Sequence, residues 1–364
     1  MLIAAREQQL VDAKNAKRGV AYVCPACQHA VILHRGTRVQ PYFAHTPQNP
    51  CTFQGEGETA QHVLGKRQLS VFFAAWGPVT LEKVLPSIAQ RADCWIDHQP
   101  RPVALEFQCS PINRDEVAER TRGYQRLGVY PFWLLGSRYA RQKLGWSLID
   151  RFASWLRGWG LCLLFWDVTR QELRIDHHIC QAVTGEYLCQ TVWVSDVAAL
   201  SAGAQRRLWW SEPNIARFRF ELDRDLRRSS LTLRPLQTAI YLTGHHLAGF
   251  PQTLVTTGVT APIFGRGLLL WRVMVAAWLF ERPSLLPETI NGLAEEAFRL
   301  VGGHIAAVRF TGQPALQQAV DTLLTDLIHD QYLVKIPTGW RVLSEPHWDA
   351  DYTAWLENDE KILG

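Results

Sequence analysis

The sequence predicts a mixed α/β protein in three parts: a small N-terminal β module, an α/β core, and a mainly α-helical C-terminal domain. Three observations predict it. Residues 1–55 break into short strand-like runs around a Cys-x2-Cys knuckle. Residues 56–195 alternate in the order helix, strand, strand, strand, helix, strand. Residues 196–364 carry helical apolar periodicity. A chain of 364 residues has material for two or three domains, and 47% hydrophobic with 20% charged residues excludes a disordered chain or a fibre.

Each element has a local reason. In the first part IAAREQQLVDA, GVAYVC and AVILHR read as strands, broken by turn signals at Lys17-Arg18-Gly19 and Arg35-Gly36. In the second, a helix from about 58 to 76 follows Gly55-Glu56-Gly57, and strands follow at 79–85, 91–98 and 103–108. A helix over 113–127 starts behind Ser110-Pro111, and 129–135 is the next strand. A hairpin, 161–168 with 172–179, turns at Thr169-Arg170-Gln171. In the third part helical periodicity runs through 236–247, 268–280 and 315–328. No internal repeat or low-complexity tract interrupts this order.

The run at 268–280 contains Arg272 and is too short for a bilayer, so no membrane span is expected. The N-terminus carries Arg6 and Glu7 with no apolar run behind them, unlike a secretory signal. Eight cysteines do not make a disulfide scaffold, and the CxxC pair suits a reducing compartment, so a cytoplasmic protein is expected.

Net charge is only +4, which excludes attachment to DNA by bulk charge but not a local basic groove. Arginine outnumbers lysine 31 to 7. Residues 201–235 hold 8 Arg against 4 acidic residues, including Arg206-Arg207-Leu208-Trp209-Trp210 and Arg217-Phe218-Arg219-Phe220. Arginine interleaved with aromatics suits single-stranded nucleic acid, with guanidinium groups on phosphates and rings on bases; Arg217 and Arg219 are the candidates. The same pattern also fits aromatics packed in a core under capping arginines. Residues 345–364 carry 6 acidic residues and 1 Lys, a tail that would avoid DNA or shield the groove.

Cys24 and Cys27 form the knuckle, with His45 and Cys51 downstream. Three thiolates and an imidazole are the soft tetrahedral set of structural zinc, with no open position for chemistry. Cys94, Cys109, Cys162, Cys180 and Cys189 lie in or beside apolar strand-like runs and read as small buried hydrophobes. Period-two alternation turns His177 and His178 to opposite faces, which argues against a second metal site with Cys180.

Asp93 in RADCWI and Glu106 in VALEFQ are charges on very apolar strands, and such charges face a cavity, a partner charge or an ion. Pairing with one of the many arginines satisfies either; a shared cation satisfies both. Hard oxygen ligands with waters suit Mg²⁺ or Mn²⁺. Gln108 projects from the same strand as Glu106, and the Phe107 carbonyl offers a further oxygen. Glu58, His62 and Lys66, spaced i, i+4, i+8, line one stripe of the preceding helix; Arg120 and Tyr124 share a stripe of the next. The parts suit metal-assisted phosphodiester hydrolysis, with Asp93 and Glu106 on the metal and Lys66 or Gln108 positioning water or stabilising charge. Neither a Walker A loop, nor GxGxxG, nor a Ser-His-Asp order is present.

These residues resemble those of the competence protein CoiA family, a branch of the PD-(D/E)XK nuclease superfamily. The resemblance rests on the CPAC knuckle, Pro41-Tyr42-Phe43-Ala44-His45, GETAQH, RADCWI, ALEFQCSPI, Arg120-x3-Tyr124 and YPFWLLG, in that order over about residues 20 to 136. It implies a restriction-endonuclease-like αβββαβ core at 56–195, a zinc-bearing module at 1–55 and a helical domain at 196–364. It also implies a metal-dependent deoxyribonuclease of natural transformation, acting on incoming DNA, single-stranded in the first place, and assisting its recombination with recombination proteins. Under it Asp93 and Glu106 are metal ligands, Glu58 is the helix-borne acidic residue, Gln108 stands where lysine is usual, and Lys66 or His62 compensates. Arg120, Tyr124, Arg217 and Arg219 are the candidate substrate contacts. A catalytically inactive DNA-binding recombination mediator is the alternative that Gln108 favours; a restriction- or repair-type endonuclease is the third.

Overall fold

The computed structural model describes residues 1–7, 9–37, 40–49, 51, 59–204 and 213–363. Glu58 and the Arg206–Trp210 cluster lie outside the described residues. The chain divides into two units, Met1–His178 with Gln190–Arg206, and Ile179–Cys189 with Arg207–Gly364.

The first unit opens with β1 (Ile3–Arg6), β2 (Gln9–Asp12), β3 (Tyr22–Val23), β4 (Ala30–His34) and β5 (Tyr42–His45), an antiparallel sheet in the order β2-β1-β3-β4-β5. Its core is small: Ala4, Tyr22, Val31 and Phe43 packed with Cys24. So few apolar side chains bury little surface, and a metal clip would add what packing does not.

Next come α1 (Ala60–Phe72), β6 (Val79–Leu85), β7 (Gln90–Ile96), β8 (Val103–Gln108), α2 (Arg114–Arg126) and β9 (Tyr130–Leu135). Thr59 caps α1, its side chain accepting from the His62 amide, and a single 3-10 turn, Phe73–Trp76, ends the helix. Asn113 and Glu116 form a capping box at the start of α2. Strands β6, β7 and β8 are antiparallel, whereas β9 runs parallel to β8 and α2 supplies the crossover between them. All of β8 is buried, because helices cover both of its faces. On one face Leu69 and Phe73 pack with Cys94, Ile96, Leu105 and Phe107; on the other Tyr124 and Val129 pack with Ala92, Trp95 and Ala104. Gly65 lets α1 lie directly on β8: a Cβ there would stand 2.1 Å from the Phe107 ring.

The unit continues with α3 (Ser137–Ala140), α4 (Trp146–Phe152), β10 (Ser154–Leu156), β11 (Gly160–Asp167), β12 (Glu172–Ala182), β13 (Tyr187–Val194) and α5 (Val197–Ala202). The sheet order is β13-β12-β11-β9-β8-β7-β6, with β10 paired to β11. At the end of this unit alternation fails. His178 has φ +49° and the His177 and His178 Nδ1 atoms meet at 2.7 Å, so the two rings do not point to opposite faces as the period-two pattern predicts.

The second unit holds α6 (Ile215–Arg227), α7 (Arg234–Tyr241), β14 (Val259–Thr260), α8 (Leu268–Phe280), β15 (Ser284–Leu285), α9 (Pro287–Leu300), α10 (Gln313–His329), β16 (Leu333–Ile336), β17 (Gly339–Val342) and α11 (Tyr352–Leu363). Strands β15-β17-β16 make a small antiparallel sheet that helical periodicity gives no hint of. The helix expected over 236–247 stops at Tyr241, before Gly244 at φ +82°. Helix α8 is buried on nearly all sides, and Arg272 within it donates to the Leu254 carbonyl at 2.9 Å and to Asp326 at 2.7 Å. Among the described residues no helix is long and apolar enough to cross a membrane.

Candidate metal centre and candidate active site

The knuckle forms because the chain turns back on itself between β3 and β4. Cys24 donates its amide to the His29 carbonyl and accepts from Gln28, which sits at φ +61°. The Ala26 amide points at the Cys24 sulfur at 3.4 Å. Strand β5, paired to β4 with Val31 opposite His45, carries the imidazole to the same corner. Cys24 Sγ lies 3.9 Å from Cys51 Sγ, and Cys27 Sγ lies 3.2 Å from His45 Nε2. All four donor atoms fall within 4.8 Å of one another, the spacing of a tetrahedral shell around one zinc-sized ion. Burial, with the neighbouring Cys51, pushes the Cys24 thiol up to about 11, and burial with the Arg91 charge lowers the His45 imidazole. The set has the composition and spacing to hold zinc.

The second cluster is built across β6, β7 and β8. The β7–β8 register pairs Cys94 with Leu105, so Asp93 and Glu106 fall on the next rung. There the ladder opens: Asp93 Oδ2 takes the Phe107 amide at 2.9 Å and meets His62 Nε2 at 3.0 Å. His62 and Lys66 share the α1 stripe, and Lys66 Nζ stands 3.8 Å from Asp93 Oδ1. Lys66 also donates to Glu82 Oε1 at 2.5 Å. Side-chain exposure is 0% for Lys66 and Glu82, 3% for His62, 2% for Glu106 and 15% for Asp93, so solvent enters this group at Asp93.

Burial opposes the charge on Asp93, but His62, then Lys66 and Arg120, outweigh it and hold the carboxyl well below the usual range. Glu82 follows the same logic, with burial outweighed by Lys66 and Arg91. Glu106 behaves oppositely. Burial, together with the Asp93 charge, pushes it up to about 7, although Arg120 and Tyr124 both hydrogen-bond it.

Arg120 and Tyr124 are therefore turned inward onto Glu106 and are buried. The candidate substrate contacts on α2 act in this structure as holders of a carboxylate. Gln108 is buried as well, its amide donating to the Ser110 carbonyl at 2.9 Å. In the second unit Arg217 is on the solvent side of α6, in an i, i+4 pair with Glu221. Arg219 is fully buried: its guanidinium lies 3.5 Å from the Phe250 ring centre and 4.8 Å from that of Trp355, and it donates to the Ala248 carbonyl at 3.0 Å. That burial keeps Arg219 from a nucleic acid outside the unit.

Sequence reasoning missed Glu82. It stands on the rung opposite Asp93, at φ +54°, and the pairing skips this rung between Leu81–Cys94 and Lys83–Ala92. Its carboxylate also takes the Leu2 amide at 2.6 Å and the Ile3 amide at 3.4 Å, tying β1 of the knuckle module to the core. Arg67 to Asp12, a two-pronged pair at 2.7 and 2.9 Å, makes a second tie. The available signal was a glutamate inside VTLEKVL, the same kind of signal that marks Glu106.

These features define a class: a Cys3His β module joined to an α/β core with clustered buried carboxylates. The family models agree. That for the competence protein CoiA nuclease-like domain matches residues 58–197, and that for the competence protein CoiA N-terminal domain matches residues 5–54. The competence protein CoiA of Bacillus subtilis (strain 168) is 34% identical over 144 residues, 39% of this chain. The chain matches 36% of that relative's length. No solved structure matches. The chain belongs to the competence protein CoiA family.

Proposed function

We propose that this chain is a metal-dependent DNA nuclease or DNA-processing protein of natural transformation, acting in the cytoplasm on incoming DNA and assisting its recombination. The observation that carries the proposal is the buried constellation of Asp93, Glu106, His62 and Lys66 at the opening between β7 and β8. The order α1-β6-β7-β8-α2-β9 around it supports a PD-(D/E)XK core. In this reading residues 1–55 hold structural zinc, residues 56–195 carry the chemistry, and the helical region at 196–364 contributes Arg217 to DNA binding.

The donor set fits Mg²⁺ or Mn²⁺ by charge. Asp93 and Glu106 are neighbouring carboxylates; burial displaces Glu106 upward, the Asp93 charge adds to it, and a hard cation would offset both. Such a cation, when bound, polarises a phosphate and lowers the pKa of its water. The chain's own groups do the rest. His62 and the Phe107 amide fix Asp93; Arg120 and Tyr124 orient Glu106; Lys66 offsets negative charge beside Asp93. Glu58 is the acidic residue of the helix start in the same reading, and Gln108 replaces the usual lysine.

The second reading, a DNA-binding recombination protein without catalysis, is favoured by two observations: Gln108 bonds the Ser110 carbonyl, and both Glu106 oxygens already have partners. Cleavage assays on single- and double-stranded DNA with Mg²⁺ or Mn²⁺ decide between them. The nuclease reading expects cutting by the wild type and its loss in Asp93→Ala and Glu106→Ala. Equal cutting by all three contradicts the assignment, and binding without cutting under either metal supports the second reading.

A further inference from the structure

We infer that the turn after β9 is a contact surface for the phosphate backbone of a DNA strand at the mouth of the Asp93 site, with Arg138, Arg141 and Lys143 as its contacts. The inference rests on the nucleic-acid-processing reading above and deepens it by naming where the strand lies.

The topology brings this turn to the site. Strands β8 and β9 are parallel, so their C-terminal ends share one edge of the sheet, where ligands of such sheets gather. The starts of α1 and α2, at Thr59 and Asn113, belong to the same edge. The turn is bonded to it at three points. The Gly136 amide donates to the Gln108 carbonyl at 2.9 Å, Ser137 Oγ donates to Gln61 Oε1 at 3.1 Å, and the Tyr139 hydroxyl donates to the Ser110 carbonyl at 2.8 Å. Gln61 directly precedes His62, and Gln108 is two residues beyond Glu106. The backbone of the turn is thus fixed against both elements that carry the site.

Arg138, Arg141 and Lys143 are exposed, and among the described residues none of their side chains forms an ion pair or a hydrogen bond. Residues 137–147 contain no acidic residue, and Asp150 beyond them is taken by Arg114 at 2.7 Å. Other arginines of this unit have carboxylate partners: Arg67 holds Asp12, Arg170 holds Glu172, and Arg174 holds Asp176. Three neighbouring cations left without counter-charges, on a backbone fixed to a site for phosphodiesters, fit a run of phosphates. Sequence patterning pointed to residues 201–235 because several aromatics interleave the arginines there; the 138–143 cations have only Tyr139 among them and come beside the site only because β9 returns next to β8.

The test is salt-dependent binding of a fluorescein-labelled DNA oligonucleotide, single-stranded and as a duplex, to full-length zinc-loaded protein. The wild type is compared with the combined variant Arg138→Gln, Arg141→Gln, Lys143→Gln and with Arg138→Lys, Arg141→Lys. The neutral variant is expected to bind about tenfold more weakly, and the slope of log affinity against log salt is expected to flatten by about 2 between about 50 and 200 mM. The lysine variant keeps the slope, because it keeps the charge. Unchanged affinity and slope in the neutral variant, with a wild type that binds and cuts DNA, overturn the inference and leave the nuclease reading standing. A wild type that neither binds nor cuts DNA overturns both.

Discussion

Lys66 is the residue on which the site's electrostatics turn. It is enclosed, and two carboxylates from adjacent strands, Glu82 and Asp93, face it. Removing one partner of a buried ion pair leaves uncompensated charge, so Lys66→Met is expected to destabilise the protein by about 3–5 kcal/mol in urea unfolding. A loss under about 1 kcal/mol would mean that water reaches these carboxylates. The pH dependence has a definite sign. Glu82 and Asp93 are held below the usual range in the folded state, so their contribution is present above about pH 4 and is lost as pH falls below it. The urea midpoint of metal-free protein should therefore drop between pH 6 and pH 3, and Glu82→Gln should shrink that drop. At this scale Asp93 and Glu106 are legible in the sequence, because a charge inside RADCWI or VALEFQ demands a partner. Glu82 is not, since Lys83 beside it makes β6 look solvated, and its bond to the Leu2 amide joins residues 80 positions apart. Nor could spacing tell that Arg120 and Tyr124 would turn inward: i, i+4 geometry fixes a shared stripe, not which way the stripe faces.

At the scale of elements, α1 must approach β8 closely for His62 and Lys66 to reach Asp93. Gly65 permits that approach. Gly65→Ala drives a methyl into the Phe107 ring and is expected to cost about 1–3 kcal/mol, measured by thermal or urea unfolding. In a double-mutant cycle Phe107→Leu should recover part of the loss; strictly additive effects would show that the helix and strand do not meet there. Strand β8 and helix α8 occupy the residues that their patterns mark, because burial on both sides leaves a mostly apolar run with sharp ends. Where a break comes from the backbone rather than from composition, the pattern misleads. Glu82 and His178 adopt positive φ without being Gly or Asn, so the lost rung in β6 and the meeting of His177 with His178 have no mark in the sequence.

At the scale of the whole molecule, the near-neutral charge hides separate functions: a Cys3His clip, a carboxylate cluster and unpaired basic side chains. The first unit links its two sheets through Glu82 with the Leu2 and Ile3 amides, and through Arg67 with Asp12. Chelation of zinc is expected to open residues 1–55 to limited proteolysis while the segment from 60 to 200 persists as a resistant fragment. Equal resistance with and without chelator would mean that packing alone holds the β module. The measurement that bears most directly on the account is the binding of Mn²⁺ to zinc-loaded protein, followed by electron paramagnetic resonance. The account predicts one Mn²⁺ per chain, lost in Asp93→Asn and in Glu106→Gln while the zinc stays bound. Identical Mn²⁺ binding by the wild type and both variants, or none by the wild type, would contradict it.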